Sequence, residues 1–288
     1  MNPSRAFIRG GHRPSAWPRH ALTAVAAGSA TLFLVPILWL IASALRTSNE
    51  TFSSSAPLSW WVLVPRDPTA DNLRRLIEVG FLRNVGNSIL VAALTVVAGL
   101  AICAMAAFAL AVIDFPGRRL VFALVVVSFL VPFEATAIPL STTFRQWHLD
   151  NTITGLVLPG IGNGLAVFML RQFFLGIPAE IREAAHVDGA GWWRTFWQMY
   201  LPLSRPALIG AGLILFLFQW QAYLWPILIT SDPTRDVAAV SLARTFGAFT
   251  NDYGLTFVEA VIVSILPAGV LLLLQRHFIA SVAATGGK

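Results

Sequence analysis

The sequence predicts an all-α polytopic membrane protein with six transmembrane helices and both termini in the cytoplasm. Three observations predict it. Of 288 residues, 56% are hydrophobic and only 12% charged, a composition outside the soluble class. Six windows are apolar over roughly the 20 residues that a helix needs to cross about 30 Å of hydrocarbon. They lie at about 21–45, 88–113, 120–140, 152–175, 207–230 and 255–278, and such segments satisfy their backbones as helices. Basic residues then favour one side of the six-window pattern: Arg5, Arg9, Arg13 and Arg19, Arg118 and Arg119, Arg171, Arg182, Arg194 and Arg205, Arg276 and Lys288. The opposite loops mix arginines (Arg46, Arg66, Arg74, Arg75, Arg83, Arg145, Arg235, Arg244) with most of the acids. A bias of this kind in short loops orients membrane proteins with the basic side in the cytoplasm.

Residues 1–20 read as a basic cytoplasmic tail. The first window follows it without a convincing cleavage site and is read as a retained span. The outer segment 46–87 carries Trp60 and Trp61, which suit a membrane–water interface. It also carries a short amphipathic helix from about Asp71, with Leu73, Leu76, Ile77 and Phe81 on one side. Cys103 lies within the second window and reads as a small buried apolar residue. "DFPGRR" at 114–119 is a tight turn. Pro132 and Pro139 in the third window, and Pro159, Gly160, Gly162 and Gly164 in the fourth, allow kinks and close helix approach. Residues 21–278 form one transmembrane domain and 279–288 a cytoplasmic tail. No internal repeat is visible.

Between the fourth and fifth windows lies a polar stretch, "EIREAAHVDGAGWWRTFWQMYLPLSRPAL", residues 180–208. Pro178 suits a first helical turn, Glu180 complements the N-terminal dipole, and Gly189 is placed as a C′ residue. Ala184 and Ala185 leave a flat face that a backbone can approach. Trp192, Trp193, Phe196, Trp197 and Tyr200 then recur at helical spacing, and Leu201-Pro202 ends the second helix. The pattern is a helix–turn–helix on the cytoplasmic face. Its aromatics fit either the lipid headgroup region or the groove of a cytoplasmic partner.

Several function classes are excluded or weakened. The pI near 10.6 invites a nucleic-acid reading, but the basic residues follow the loops, not a binding face. There is no HExxH, no GxSxG, no Cys/His metal cluster and no Walker A loop, so an enzyme is not indicated and ATP cannot be bound here in the P-loop manner. An ion-gradient-driven secondary transporter is the alternative class. It predicts paired intramembrane acids and internal repeats, whereas only Glu134 and Glu259 fall within windows. Glu134 in the third window and Gln219, Trp220, Gln221 and Tyr223 in the fifth combine an acid, hydrogen-bonding groups and aromatic faces, a set that suits a sugar ring. For each of the last four, helix–helix packing is the slightly favoured reading. For Glu134 function is favoured, because an acid at depth is costly unless it faces water or a partner.

The polar stretch resembles the EAA loop of binding-protein-dependent ABC importer permeases. The pattern is Glu183-Ala184-Ala185, three residues, Gly189, nine residues, then Met199-Tyr200-Leu201-Pro202, with methionine where the family usually has isoleucine. "NVGNSILVA", "IPL", "FMLRQFF" and "FQWQAYLWPIL" are similar to the smaller permease of carbohydrate-type, maltose-transporter-like importers. Its tail is similar as well, with two departures: Ser281 stands in place of the usual glycine, and the family's closing Gly-Ala-Val-Lys-Gly is reduced. The resemblance implies a type I ABC importer permease in the bacterial inner membrane. Its expected partners are a second related permease, a dimer of cytoplasmic ATPases that bind the ATP, and an extracytoplasmic solute-binding protein. The solute is a sugar or sugar derivative, with glycerol-3-phosphate-type solutes as the alternative. Glu183 is implied as a charge contact to an ATPase arginine and Gly189 as the turn glycine, within a coupling loop over 176–206. Trp192, Trp193 and Phe196 are aromatic anchor candidates by spacing.

Overall fold

A computed structural model describes residues 19–55, 59–247 and 252–286. The tail arginines Arg5, Arg9 and Arg13 and the terminal Lys288 lie outside these residues, as do the side chains of Arg19, Arg276 and Ser281. Among the described residues there is no strand. Helices α1 (Arg19–Ala44), α2 (Ser48–Ser55) and α3 (Asp71–Glu78) lead into α4 (Phe81–Val112). Then come α5 (Arg118–Leu130), α6 (Phe133–Gln146), α7 (Ile153–Val157), α8 (Gly164–Leu175), α9 (Ala179–Val187), α10 (Trp192–Thr195) and α11 (Leu201–Leu203). The chain closes with α12 (Arg205–Trp220), α13 (Leu224–Ile229), α14 (Ala238–Gly247) and α15 (Tyr253–Gly286).

At 32 residues, α4 is about 48 Å long at 1.5 Å per residue, more than the hydrocarbon thickness. It begins at Phe81, seven positions before the expected start of the second window. It is also the hub: α8 and α12 pack along it, α5 lies on α8, and α1 pairs with α15, which also packs on α12. The core follows. Small residues on α4 (Cys103, Ala104, Ala107) meet Ala166, Leu170 and Phe174 of α8 and Ala207, Ala211 and Leu215 of α12. Much of the remaining apolar surface points outward. Leu32 and Phe33 on α1 are 72% and 74% exposed, which in this composition is a face for lipid or for another membrane helix.

Three helices, Ala21–Ala44, Phe81–Val112 and Tyr253–Gln275, are long and apolar enough to span a membrane. The other three windows are broken. The third bends by 96° between Leu130 and Phe133. Pro132 has no N–H for the ladder and drives Val131 to extended backbone, φ −74°, ψ 121°. The fourth bends by 46° between Gly160 and Gly164, where Asn163 Oδ1 accepts the Ala166 N–H at 2.9 Å to start α8. A side chain at Gly164 would put its Cβ 2.9 Å from Phe129 Cβ and from the Val125 carbonyl oxygen, so glycine permits the crossing with α5. The fifth window differs most. Instead of one helix over 207–230, α12 stops at Trp220, residues 221–223 leave the helix, and α13 starts at Leu224. What makes up a full span length is the piece preceding α12, 192–203, joined to it through an 83° bend at Ser204.

At the α3 end of the bundle, Arg46 is fully buried. Its guanidinium donates to the carbonyls of Ala42, Trp61 and Val62 at 3.1, 2.8 and 2.5 Å and to Ser54 Oγ at 3.0 Å. Burial lowers its pKa from the usual arginine value, with Glu50 opposing. Asn72 joins α3 to the same turn through the Ala44 and Arg46 carbonyls, at 3.0 and 2.8 Å. The amphipathic helix therefore buries Asn72 and Leu76, whereas Leu73 and Ile77 are exposed. The hydrogen-bonding demand of the carboxyl end of α1 outweighs the apolar stripe expected there.

From the arginine bias, the α9 end of the bundle is expected in the cytoplasm and the α3 end outside. In a Cys103→Ala background, a cysteine introduced near residue 10 and one replacing Trp60 should react with a membrane-impermeant maleimide from opposite sides. Labelling of both from the same side of intact cells overturns this orientation.

Candidate functional site

The polar stretch folds into two helical segments at one end of α4. Pro178, at φ −54° and ψ 137°, is the N-cap residue of α9, one position before the helical turn it was expected to open. Asp188 is the C-cap, and Gly189 follows at φ +74°. The Ala190 N–H reaches the Ala185 carbonyl at 2.9 Å and the Gly189 N–H reaches His186 at 3.0 Å. These are the paired bonds of a Schellman turn, which requires a left-handed residue at the Gly189 position. The turn reverses the chain into α10. There Thr195, fully buried, donates its hydroxyl to the Gly191 carbonyl at 3.2 Å. His186 and Trp192 meet edge to face, 4.7 Å between ring centroids, and hold the two helices together.

Phe196–Tyr200 is a π-helical turn, with the Leu201 N–H bonded to the Phe196 carbonyl. Pro202 takes away the N–H that would have bonded to Gln198. The helix nevertheless continues through Leu203 instead of ending at Leu201-Pro202, and it breaks at Ser204 (φ −100°, ψ 15°). Pro206, in the first turn of α12, supplies the stop. Its ring is disfavoured against the carbonyl four residues back, at Pro202.

The two faces of this element are distinct. Ala185, Ala190, Thr195, Phe196 and Tyr200 turn inward. Phe196 is 3% exposed, and it packs with Phe108 of α4 at 5.2 Å, while Tyr200 meets Phe108 at 5.0 Å and Phe174 of α8 at 5.7 Å. Phe196 therefore seats the element on its own bundle and is not an outward anchor, because its ring packs against Phe108 of α4. Ala184 and Ala185 separate likewise, one exposed and one buried, so they do not form one flat face. Glu183, Ala184 and Val187 of α9 are exposed, as are Trp192, Trp193 and Trp197. Trp193, 64% exposed, packs edge to face on Trp197 at 5.8 Å. Trp197 belongs to this outward ridge; its position four residues after Trp193 was the sequence signal for it. Leu201 is half-buried and Pro202 exposed.

The second candidate set gathers at two helix breaks. Glu134 is exposed in the first turn of α6, just after the Val131–Pro132 break. Gln221 and Tyr223 lie in the non-helical link between α12 and α13, both exposed. Phe133 meets Trp225 edge to face at 6.0 Å, and α6 packs against α13, so the two breaks are neighbours. Gln219 is half-buried, its Oε1 accepting from Thr95 Oγ1 at 3.3 Å. Trp220 faces the other way. It is 5% exposed, stacks on Phe216 at 5.7 Å and donates its indole N–H to the Val263 carbonyl of α15 at 3.0 Å. The geometry makes it a packing residue between α12 and α15, in place of an open stacking face.

Residues 99–283 match the family model described as "Binding-protein-dependent transport system inner membrane component". The chain is 32% identical over 262 residues to the arabinooligosaccharides transport system permease protein AraQ of Halalkalibacterium halodurans, covering 90% of this chain and 92% of that protein. It is 32% identical over 258 residues to the sn-glycerol-3-phosphate transport system permease protein UgpE of Yersinia pestis, covering 86% and 90%. Among solved structures, a chain of a bacterial ABC transporter involved in the import of the acidic polysaccharide alginate superposes with a TM-score of 0.77. The two chains are 24% identical, with 90% of this chain and 96% of the other covered. That likeness shows the fold.

A Cβ at Gly189 would meet nothing within 4 Å, so the demand for glycine there is conformational. Gly189→Val is expected to cost about 1–3 kcal/mol, the range for a residue held in a sparsely populated region. Gly189→Asn should be clearly milder, since asparagine tolerates the left-handed conformation. Thermal unfolding of the purified chain in detergent, with limited proteolysis at 188–191, checks this. Equal stability of the two variants would contradict the turn geometry.

Proposed function

The chain belongs to the family of binding-protein-dependent transport system inner membrane components, and from this premise we propose that the α9–α10 element is where it takes up the work of an ATPase. As an ABC importer permease of the inner membrane, it would draw the work of transport from a separate ATPase. The observation that carries the reading is the outward ridge of Glu183, Val187, Trp192 and Trp193 on a rigid turn. Its inner side is seated in the bundle through Phe196 and Tyr200. Large exposed aromatics beside one charge are the side chains that anchor a helix in a partner's groove. ATP-dependent closure of an ATPase dimer would displace this element and bias the bundle between inward-facing and outward-facing states. A second, related permease completes the pathway, and an extracytoplasmic binding protein delivers the solute.

The solute we propose is a carbohydrate, in keeping with the arabinooligosaccharide relative. Glu134, Gln221 and Tyr223 offer it an acceptor, an amide and an aromatic face at two adjoining helix breaks. A break in a span exposes polar groups only where they meet protein or water, which favours a pathway there. A phosphate ester, the solute in the other relative's name, is the second reading, and the Glu134 carboxylate opposes it by charge.

Two measurements follow. In the assembled complex, Glu183→Ala and Trp193→Ala should reduce ATPase subunit retention or stimulated ATP hydrolysis by about fivefold or more, the lower end of common coupling effects. Normal stimulation in both would make the ridge a lipid-facing surface. Glu134→Gln and Tyr223→Ala should impair uptake of an arabinose oligosaccharide into membrane vesicles while the amount of complex is unchanged. Wild-type vesicles that accumulate sn-glycerol 3-phosphate but no oligosaccharide would favour the phosphate-ester reading. Uptake falling only in step with the amount of complex would make these residues packing elements.

A further inference from the structure

The carboxyl end of α4 is held by three arginines from three different helices. The last backbone bond there is the Ile113 N–H to the Ala109 carbonyl, 3.3 Å, and the carbonyls beyond it have no further turn of helix to meet. Arg171 of α8 donates Nε to the Leu110 carbonyl at 3.1 Å, with its guanidinium 3.9 Å from the ring centroid of Phe122 on α5. Arg182 of α9 donates Nη1 to the Val112 carbonyl at 3.4 Å. Arg118 of α5 donates Nη1 to the Ile113 carbonyl at 3.2 Å and pairs with Asp114 at 2.7 Å. All three are half-buried. Arg171 and Arg182 have no carboxylate partner among the described residues, so the negative end of the helix dipole is what they face.

Arg182 has a further distinction. Among the described residues, it makes the one side-chain hydrogen bond that joins α9 to a membrane-spanning helix. At the other end of α4, Asn87 donates to the carbonyls of Thr234 and Asp236 at 3.0 and 2.9 Å, and Ser88 Oγ accepts the Ala238 N–H at 2.8 Å. Helix α4 is thus a strut between the α9 turn and the α13–α14 loop.

We propose that Arg182 is a positioning residue for coupling: it passes a displacement of α9 to the end of α4, while Arg171 and Arg118 lock α8 and α5 to the same end so that the three helices move as one body. The inference rests on the docking role given above to α9–α10. It concerns a different step, the transfer of motion from the docked loop into the bundle. A two-state element can be biased only through contacts that differ in energy between its states. A charged donor on helix-end carbonyls is such a contact, directional and short-ranged.

The test uses the complete complex, this chain with its partner permease and ATPases, reconstituted in lipid. ATP hydrolysis is read alone and after adding the binding protein purified with the solute it carries. Arg182→Met should keep the ATPase subunits and leave basal hydrolysis within about twofold, yet lose about tenfold of the stimulation, well within the usual range of coupling effects. Arg182→Lys should recover most of it, since an ammonium also donates to a carbonyl. Arg171→Met, which does not touch α9, should show the same pattern and decides the matter if Arg182→Met fails to assemble. Full stimulation in an assembled Arg182→Met or Arg171→Met complex overturns the proposal. Loss of the ATPase subunits in Arg182→Met alone, with Arg171→Met fully stimulated, would make Arg182 a docking residue and overturns it as well. Glu183→Ala, measured in parallel, reports separately on docking, so failure of that reading is distinguishable from failure of this one.

Discussion

In hydrocarbon, each backbone amide and carbonyl must find a partner within the protein, and the rest of this structure depends on that constraint. Helices meet it along their length and fail it at their ends and breaks, so polar side chains collect at those points. Arg46 is the plainest case, a fully buried cation spent on three carbonyls and a hydroxyl where α1 gives way to the segment before α3. Asn163 starts α8 by accepting an orphan amide. The arginines at the carboxyl end of α4 do the same for its last carbonyls. In a chain with so few charges, several of the arginines are spent where helices stop.

The same constraint explains why the candidate sites lie at interruptions. Glu134 follows a proline break, and Gln221 and Tyr223 occupy the link between two helices. The α9–α10 element is itself an interruption, a Schellman turn followed by a π turn and a break at Ser204. Its rigidity comes from the inside. Phe196 and Tyr200 lie against Phe108 and Phe174, so under the coupling role proposed above a force on the outer ridge would be borne by α4 and α8. The long, continuous α4 would then carry that force to the opposite end.

The membrane class and the helical class were legible because they depend on summed hydrophobicity, which survives without knowledge of packing. The EAA spacing was legible for a related reason. A C′ glycine and the residues that flank it are a local pattern, and Gly189 indeed sits at φ +74°. Kinks were foreseeable at Pro132 and near Gly160–Gly164, although their angles were not. The extent of the second and fifth windows was misjudged. Hydropathy does not distinguish a helix that continues from one that stops at Trp220 and resumes at Leu224.

By itself, the sequence determined the solvent, the helical class and the family, since composition, local spacing and motif order carry them. Tertiary structure decided which face of each helix is open. Phe196 and Trp193 are both aromatic, three positions apart, yet one is buried against Phe108 and the other exposed, because α4 sets Phe108 against one side of the helix and leaves the other open. Trp220 and Tyr223 part in the same way: α15 presents the Val263 carbonyl to the indole N–H, and the helix ends before the tyrosine. Arg171, Arg182 and Arg118, spread over 65 positions, meet at one helix end only because α5, α8 and α9 converge there. Such convergence depends on long-range packing and not on spacing along the chain, and no periodicity in the sequence encodes it.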